Sequence, residues 1–483
     1  MIDTFKKKMS LGSLFFISTT IALGCWVIYR SFILEMTNDE AYSFFNVSTR
    51  HLQMMIGTAN THWLNSFFIL AETTLLGNKE WMIRIHSCLG FFIFSWALFQ
   101  LFKSYIKYPI QLLLPITLIL LNTYLLDFFS LARGYGISLA FELAACYYIS
   151  IQDESFQHKC KIYTLLCLAT LSCYTCIFIL FAYFIHDVLS MISKGQLRLL
   201  FSVKNMLAIS PFILTASIAI PNILFIKKQG DLGEGQRNGF ISDTLSIFFQ
   251  RSYGEIIQST SGIYFALFLF ILVVSFYFIY RKKMDERIKI LFELFFIILL
   301  LIEFLYITMD TPYVFGRTAL YIDLLFLSLI TYIFIFISSK QSKKQTAFFS
   351  LLLFVLSLFY FIKYKNHHTT IEWWKSQGVY ASILYLQKTT GNQLRNKKLG
   401  MHLAQYGAYV NYYKYLYHPP LNDTVLAFRE NESGKLDTNT IQQILALDYA
   451  IMLKPYNQYL NDSSYQLLKH YPDMNSDLIK LRK

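Results

Sequence analysis

Charge is scarce in this chain. Only 15% of its 483 residues are Asp, Glu, Lys or Arg, against 55% hydrophobic and 18% aromatic residues. A soluble domain needs a more polar surface than this, so the composition excludes an ordinary globular protein and points to a polytopic membrane protein. The net charge of +13 raises nucleic acid as a partner. The Lys and Arg residues lie in short loops between apolar runs, where membrane orientation rules place them, and that excludes nucleic acid.

Cysteine stops at Cys176. The seven present are Cys25, Cys88, Cys146, Cys160, Cys167, Cys173 and Cys176, all in or beside apolar runs. No disulfide framework supports the C-terminal third. Cys173-x-x-Cys176 reads either as small packing residues of a membrane helix or as a redox or metal pair. Internal repeats and low-complexity linkers are absent. So is a cleavable signal: Phe5-Lys6-Lys7-Lys8 precedes an apolar run of about 24 residues, too long for a signal core, and is expected to be a retained signal anchor.

What is abundant is membrane-length apolar sequence. Spans are expected at Leu11–Leu34, Trp81–Phe102, Ile110–Phe128, Tyr135–Ile151, Met206–Phe225, Ile263–Tyr280, Ile290–Met309, Thr318–Ile337 and Ala347–Ile362. The run Ile162–Ile192 is too long for one simple span and carries a polar break at Ser172-Cys173-Tyr174-Thr175, so it is read as two helices. With these, eleven segments put the termini on opposite sides. Placing the N-terminus inside makes every inner loop basic: Lys6 to Lys8, Lys103 with Lys107, Lys159 with Lys161, Lys194 through Lys204, Arg281 through Lys289, and Lys340 through Lys344. That satisfies the positive-inside rule.

The outer set then holds Glu35–Glu80, the link Ser130–Gly134, Lys227–Ser261, Asp310–Arg317 and the tail from Lys363. These loops and their margins carry Asp39, Glu40, His62, Arg84, Arg133, Arg237 and Arg317. Within Glu35–Glu80, Trp63–Leu76 is apolar but too short to span and reads as an interfacial or re-entrant helix. The tail alternates short apolar runs (Leu399–Leu403, Asp448–Leu453, Leu478–Leu481) with helical patterns at Val379–Gln387 and Thr440–Leu447. The expected fold is an all-α polytopic membrane domain over 1–363, with an interfacial helix in its first outer loop, and a small soluble α/β domain over 364–483.

Asp39-Glu40 is the leading chemical feature, because carboxylates at a membrane edge are costly. One reading is a general base that takes a proton from an attacking hydroxyl; the other is a solvated loop. Asn60 or Thr61 reads as an N-cap for the helix that follows, with His62 beside it and Trp63 as an interfacial anchor. Gly77 reads as a helix stop. Arg84 lies one turn inside its span and either snorkels to headgroups or binds a lipid phosphate. Ala132-Arg133-Gly134-Tyr135-Gly136 is a very short outer turn, where Arg133 pairs with Asp127 or meets a ligand. Arg317, in Pro312-Tyr313-Val314-Phe315-Gly316-Arg317-Thr318, reaches a phosphate or headgroups. The tyrosine-rich stretch Tyr406–Tyr417 either stacks on sugar rings or packs against the membrane domain.

Five blocks occur in a fixed order: Asp39-Glu40-Ala41-Tyr42, His62-Trp63-Leu64-Asn65-Ser66, Gly77-Asn78-x-Glu80-Trp81-x-x-Arg84, Ala132-Arg133-Gly134-Tyr135-Gly136, and Gly316-Arg317-Thr318-Ala319-Leu320-Tyr321. In this the chain resembles the GT-C superfamily of integral membrane glycosyltransferases. The bacterial branch related to protein O-mannosyltransferases and the lipid A aminoarabinose transferase is closest in pattern. The resemblance covers about residues 10–365. It implies a polyprenyl-phosphate sugar donor and a glycan, lipid or protein acceptor. It also implies transfer on the non-cytoplasmic side of the inner (plasma) membrane, with the N-terminus cytoplasmic and the tail periplasmic or extracellular. It makes Asp39 the expected base or acceptor-orienting residue and Glu40 its neighbour in that role. Charge and side, rather than a motif match, make Arg84, Arg133 and Arg317 the expected contacts to the donor's phosphate, with His62 and Asp127 expected at the same site. Prolines that relatives carry near His62-Trp63-Leu64 are missing here. No cofactor is expected. No Asp-x-Asp pair marks a metal in the outer loops, although a divalent ion stays compatible with the pattern. Two rival functions are a transporter or flippase for an anionic lipid or glycan, and a scaffold presenting the tail.

Overall fold

The computed structural model describes residues 10–50, 62–228, 237–253, 259–365, 367–373, 375, 378–390, 394, 397–414, 425–428, 436–453, 460, 462–471 and 476–482. The chain divides into two compact units. The first comprises Met1–Ile28, Ile56–Asn65 and Ile85–Lys365; the second comprises Tyr29–Met55, Ser66–Arg84 and Asn366–Lys483. One division falls after Lys365, and the segments Tyr29–Met55 and Ser66–Arg84 group with the C-terminal residues, which the sequence did not suggest.

Eleven apolar segments were expected, and helices stand at each. α1 (Leu11–Ile33), α4 (Ile85–Lys103), α10 (Val203–Lys228), α12 (Ser259–Tyr280), α13 (Glu286–Met309), α14 (Leu320–Ser339) and α15 (Lys343–Tyr364) match seven of them. An α-helix rises about 1.5 Å per residue, so the 23 residues of α1 are long enough to span hydrocarbon. Among the described residues, eight helices are long and apolar enough to cross a membrane, nine if one bent pair counts as a single span. That pair joins Pro109–Leu120 (including α5, Leu113–Pro115) to Thr123–Ser130 (including α6, Thr123–Asp127) through a 64° bend. Pro115 and a π-helical stretch at Ile116–Leu120 sit at the break, which the Asn122 side chain caps by accepting from Leu125 N–H at 3.1 Å.

The long run after residue 156 is indeed two helices, α8 (Phe156–Ser172) and α9 (Ile177–Ser193), broken at Cys173 and a 3₁₀ turn over Tyr174–Cys176. Ser155 caps α8, Asp285 caps α13, and a Ser342/Gln345 capping box starts α15. α7 (Tyr135–Ile151) packs against α4, α8 and α14 in the middle of the first unit. α14 is enclosed from Leu320 to Ile333. By contrast α12 and α15 turn Tyr264, Phe268, Ile271, Phe348 and Phe359 outward, as lipid contact requires. All seven thiols are free.

The second unit carries a five-stranded sheet in the order β2-β1-β3-β5-β4. Its strands are β1 (Leu399–His402), β2 (Val425–Phe428), β3 (Tyr449–Leu453), β4 (Tyr465–Tyr471) and β5 (Ser476–Leu481). β1 runs parallel to β2 and β3, whereas β5 is antiparallel to β3 and β4. The central β1 and β3 are buried along their whole length and read as continuous apolar runs. The edge strand β4 is largely exposed, and its apolar signal was too weak to mark it in the sequence. α16 (Val379–Thr390), α17 (Leu403–Ala408) and α18 (Thr438–Leu445) complete the α/β arrangement. The core joins Phe428, Ile444, Ala450, Met452, Ile479 and Leu481.

Candidate functional site

Asp39 and Glu40 do not sit in a loop. They occupy the first turn of α2 (Asn38–Arg50), a helix that the apolar pattern did not mark. The local code for it is Thr37-x-x-Glu40. Glu40 N–H donates to Thr37 Oγ1 at 3.2 Å, and Thr37 N–H donates to Glu40 Oε2 at 3.1 Å, a reciprocal capping box. Acidic residues there also face the positive end of the helix.

The capping box turns the Glu40 carboxylate toward Arg84. Arg84 Nε donates to Glu40 Oε1 at 2.9 Å and Nη2 donates to Oε2 at 2.8 Å. The remaining donors go to carbonyls: Nη1 to Ser31 (3.0 Å) and Leu34 (2.8 Å), Nη2 to Glu35 (3.1 Å). An arginine has five N–H donors, and these bonds use all of them. Both side chains are fully buried. Neither sequence reading of Arg84, headgroup contact or phosphate contact, fits a saturated guanidinium with no exposed surface. Its role is to tie the end of α1 to the start of α2.

Asp39 is a different case. It is buried, and its Oδ2 accepts from the indole Nε1–H of Trp373 at 2.9 Å. Four residues earlier, the Glu35 carboxylate accepts from the backbone N–H groups of Val379 (2.8 Å), Tyr380 (3.3 Å) and Ala381 (2.9 Å) at the start of α16. Burial nevertheless pushes Glu35 up to about 6, although those N–H groups pull it down. Burial also raises Glu80, partly offset by Arg84. Tyr413 Oη accepts from Met36 N–H at 2.9 Å, and Tyr412 Oη donates to the Asn78 carbonyl at 2.6 Å. Tyr409, Tyr412 and Tyr413 are buried, and the bonds to Met36 and Asn78 lie within the second unit.

The first unit gathers a second group. His62 is buried, and neither ring nitrogen has a hydrogen-bond partner among the described residues. Its ring meets Tyr135 edge-on at 5.1 Å. Burial holds its pKa well below the usual histidine range, and the positive charges of Arg133 and Arg317 push the same way. His62 is therefore a neutral imidazole within electrostatic reach of two guanidinium groups. The turn that carries Arg133 needs Gly134: φ is +76°, and a Cβ there would run into the Ser172 carbonyl. Asn65 secures the same turn. Its amide donates to the Ala132 carbonyl at 3.1 Å, and its oxygen meets His86 Nε2 at 2.8 Å. Asp127, the last residue of α6, is buried. The expected caps Asn60 and Thr61 lie outside the described residues. α3 (Trp63–Leu75) has the expected short length and ends just before Gly77 at φ +115°.

Arg251 escaped the sequence reading. It lies on α11 (Ser246–Tyr253), its guanidinium covers Gly316, and it donates to Tyr124 Oη at 3.1 Å. Tyr124 lies within electrostatic reach of both Arg251 and Arg317. No motif distinguished this arginine from other loop cations. Arg237 is instead engaged at the surface with Asp310 at 2.9 Å. Glu142 of α7 and Asp323 of α14 were also missed, inside long apolar runs. Both are fully buried, neither carboxyl has a hydrogen-bond partner among the described residues, and Asp323 lies within electrostatic reach of Glu142. Among the described residues, no group of three or more His, Cys, Asp or Glu side chains is arranged as metal ligands.

No family model and no curated protein matches the chain. Among the solved structures that align with it are those of ArnT from Cupriavidus metallidurans in the apo state and bound to undecaprenyl phosphate. Each covers 96% of this chain and 97% of its own at 9% identity, with TM-scores of 0.49 and 0.48. A likeness at that level assigns neither family nor activity.

Proposed function

We propose that this chain is a membrane glycosyltransferase. It moves a sugar from a polyprenyl-phosphate-linked donor to an acceptor hydroxyl on the non-cytoplasmic face of the inner (plasma) membrane. The observation that carries this reading is the buried, neutral His62 in reach of Arg133 and Arg317, within a unit made of membrane-length helices. Guanidinium groups beside a buried imidazole, with Arg133 itself buried, favour an anion, and a phosphate on a lipid is an anion that reaches such a place.

The reaction is a single displacement. The acceptor oxygen attacks the anomeric carbon and Asp39 takes the hydroxyl proton. The bond from that carbon to the phosphate oxygen breaks, and the lipid phosphate leaves with the electron pair. Arg133 and Arg317, with Arg251 as a further cation, stabilise the charge that grows on the leaving group. Glu40 and Arg84 set the position of α2 rather than touching substrate.

The test is transfer of labelled sugar from a polyprenyl-phosphate donor in membranes holding wild-type protein or Asp39→Asn. The variant is expected to be inactive, and wild-type activity in it overturns the role of Asp39. Movement of the lipid across the bilayer with no sugar transfer by the wild type supports a transporter instead.

A further inference from the structure

We infer that Trp373, a residue of the C-terminal unit, is a positioning residue for the Asp39 carboxylate; the inference rests on Asp39 being the base.

The indole N–H is a donor that never accepts and does not titrate. It meets Asp39 Oδ2 at 2.9 Å, and both residues are buried. A hydrogen bond to an ionised carboxylate is stronger than a neutral one. It favours the charged form, so it sets both the direction and the basicity of the group.

The donor is itself anchored. Trp373 N–H donates to Thr370 Oγ1 at 3.2 Å, and Thr370 is buried. One residue earlier, the Thr369 carbonyl accepts from Arg30 Nη2 at 2.9 Å. Arg30 belongs to the last turn of α1, the same end of the helix that Arg84 ties to α2. The stretch 369–373 is thereby held by the same chain segment that presents Asp39. On the other side, the capping box and Arg84 hold the first turn of α2. Acid and indole are fixed from both sides, so the bond between them joins two preset groups. In this light the tail completes the setting of the base.

The first variant is Trp373→Phe, which deletes the donor and keeps a smaller aromatic ring in the same place. With full-length protein in membranes, kcat is expected to fall about tenfold. KM for the donor is expected to stay unchanged. The acid limb of the kcat profile should move to higher pH, because the charged carboxylate loses a partner. A merely structural role does not move that limb. In an Asp39→Asn background, Trp373→Phe should add no further loss to the residual rate, whereas independent roles multiply. If the phenylalanine variant does not fold, a benzothienyl-alanine placed at 373, with sulfur in place of the N–H, makes the same deletion at constant shape. A wild-type pH profile and kcat in either form, with Asp39→Asn inactive, overturns the inference and leaves the base assignment standing. An active Asp39→Asn overturns that assignment itself.

Discussion

Arg84 and Glu40 form a closed ion pair: two bonds join them, and three backbone carbonyls take the other guanidinium hydrogens. Removing one partner of such a pair strands a buried charge, a loss of about 3–5 kcal/mol. Lysine cannot reproduce the fork. Arg84→Lys is therefore expected to lower the thermal midpoint in detergent sharply. Folded Arg84→Lys protein with wild-type stability and a raised donor KM would return Arg84 to the phosphate site.

Glu35 provides a pH test in the same region. Its folded pKa of about 6 lies above the ordinary 4.5, so the folded protein holds this proton more tightly than the unfolded chain does. The stabilisation is complete below about pH 4.5 and is lost as pH rises through 6, a change of about 2 kcal/mol. Melting curves across that window should show the decline in wild-type protein and a flatter response in Glu35→Gln.

The arginines near His62 should behave unlike Arg84. Arg133→Ala and Arg317→Ala are expected to lower kcat/KM for the donor by roughly tenfold to a hundredfold, because they act on developing phosphate charge. Competition by the free lipid phosphate should weaken in parallel. Unaltered inhibition by that product in both variants would count against the assignment.

A single displacement has a stereochemical consequence. The product should carry the inverted anomeric configuration relative to the donor, as read from the anomeric proton coupling of the isolated glycoside. Retention would require a covalent intermediate on the protein and would remove Asp39 from the role of base.

Gly134→Ala tests the Arg133 turn. A left-handed residue with a Cβ costs about 1–2 kcal/mol, and the Ser172 carbonyl blocks the space as well. The variant is expected to melt earlier and to lose donor affinity, since the same turn carries Arg133.

Much of the architecture was legible because hydrophobic length is a local property. The span at Leu11, the break at Ser172–Thr175 and the runs that become β1, β3 and β5 each show themselves within about twenty residues. α2 was also legible in principle, through Thr37-x-x-Glu40, a signal of polar spacing rather than of apolar pattern. β4 was not, because its sequence from Tyr465 to Tyr471 carries little continuous apolar run, and β2 is apolar but only four residues long.

The site divides in the same way. Residue types and their order in the chain were enough to nominate Asp39, His62, Arg84, Arg133 and Arg317 together. They were not enough to show that the Arg84 guanidinium is saturated, since its partners are set by the fold and not by its neighbours in sequence. Nor could they join Trp373 to Asp39 across 334 positions.

The sequence by itself determined that this is a multi-span membrane chain with a polar tail and an acidic pair after its first helix. The cost of placing charge in hydrocarbon leaves few other ways to read so apolar a composition. Only the tertiary structure decided which donors meet these carboxylates. They come from far along the chain: Glu40 accepts two bonds from Arg84, and Asp39 accepts from the indole N–H of Trp373.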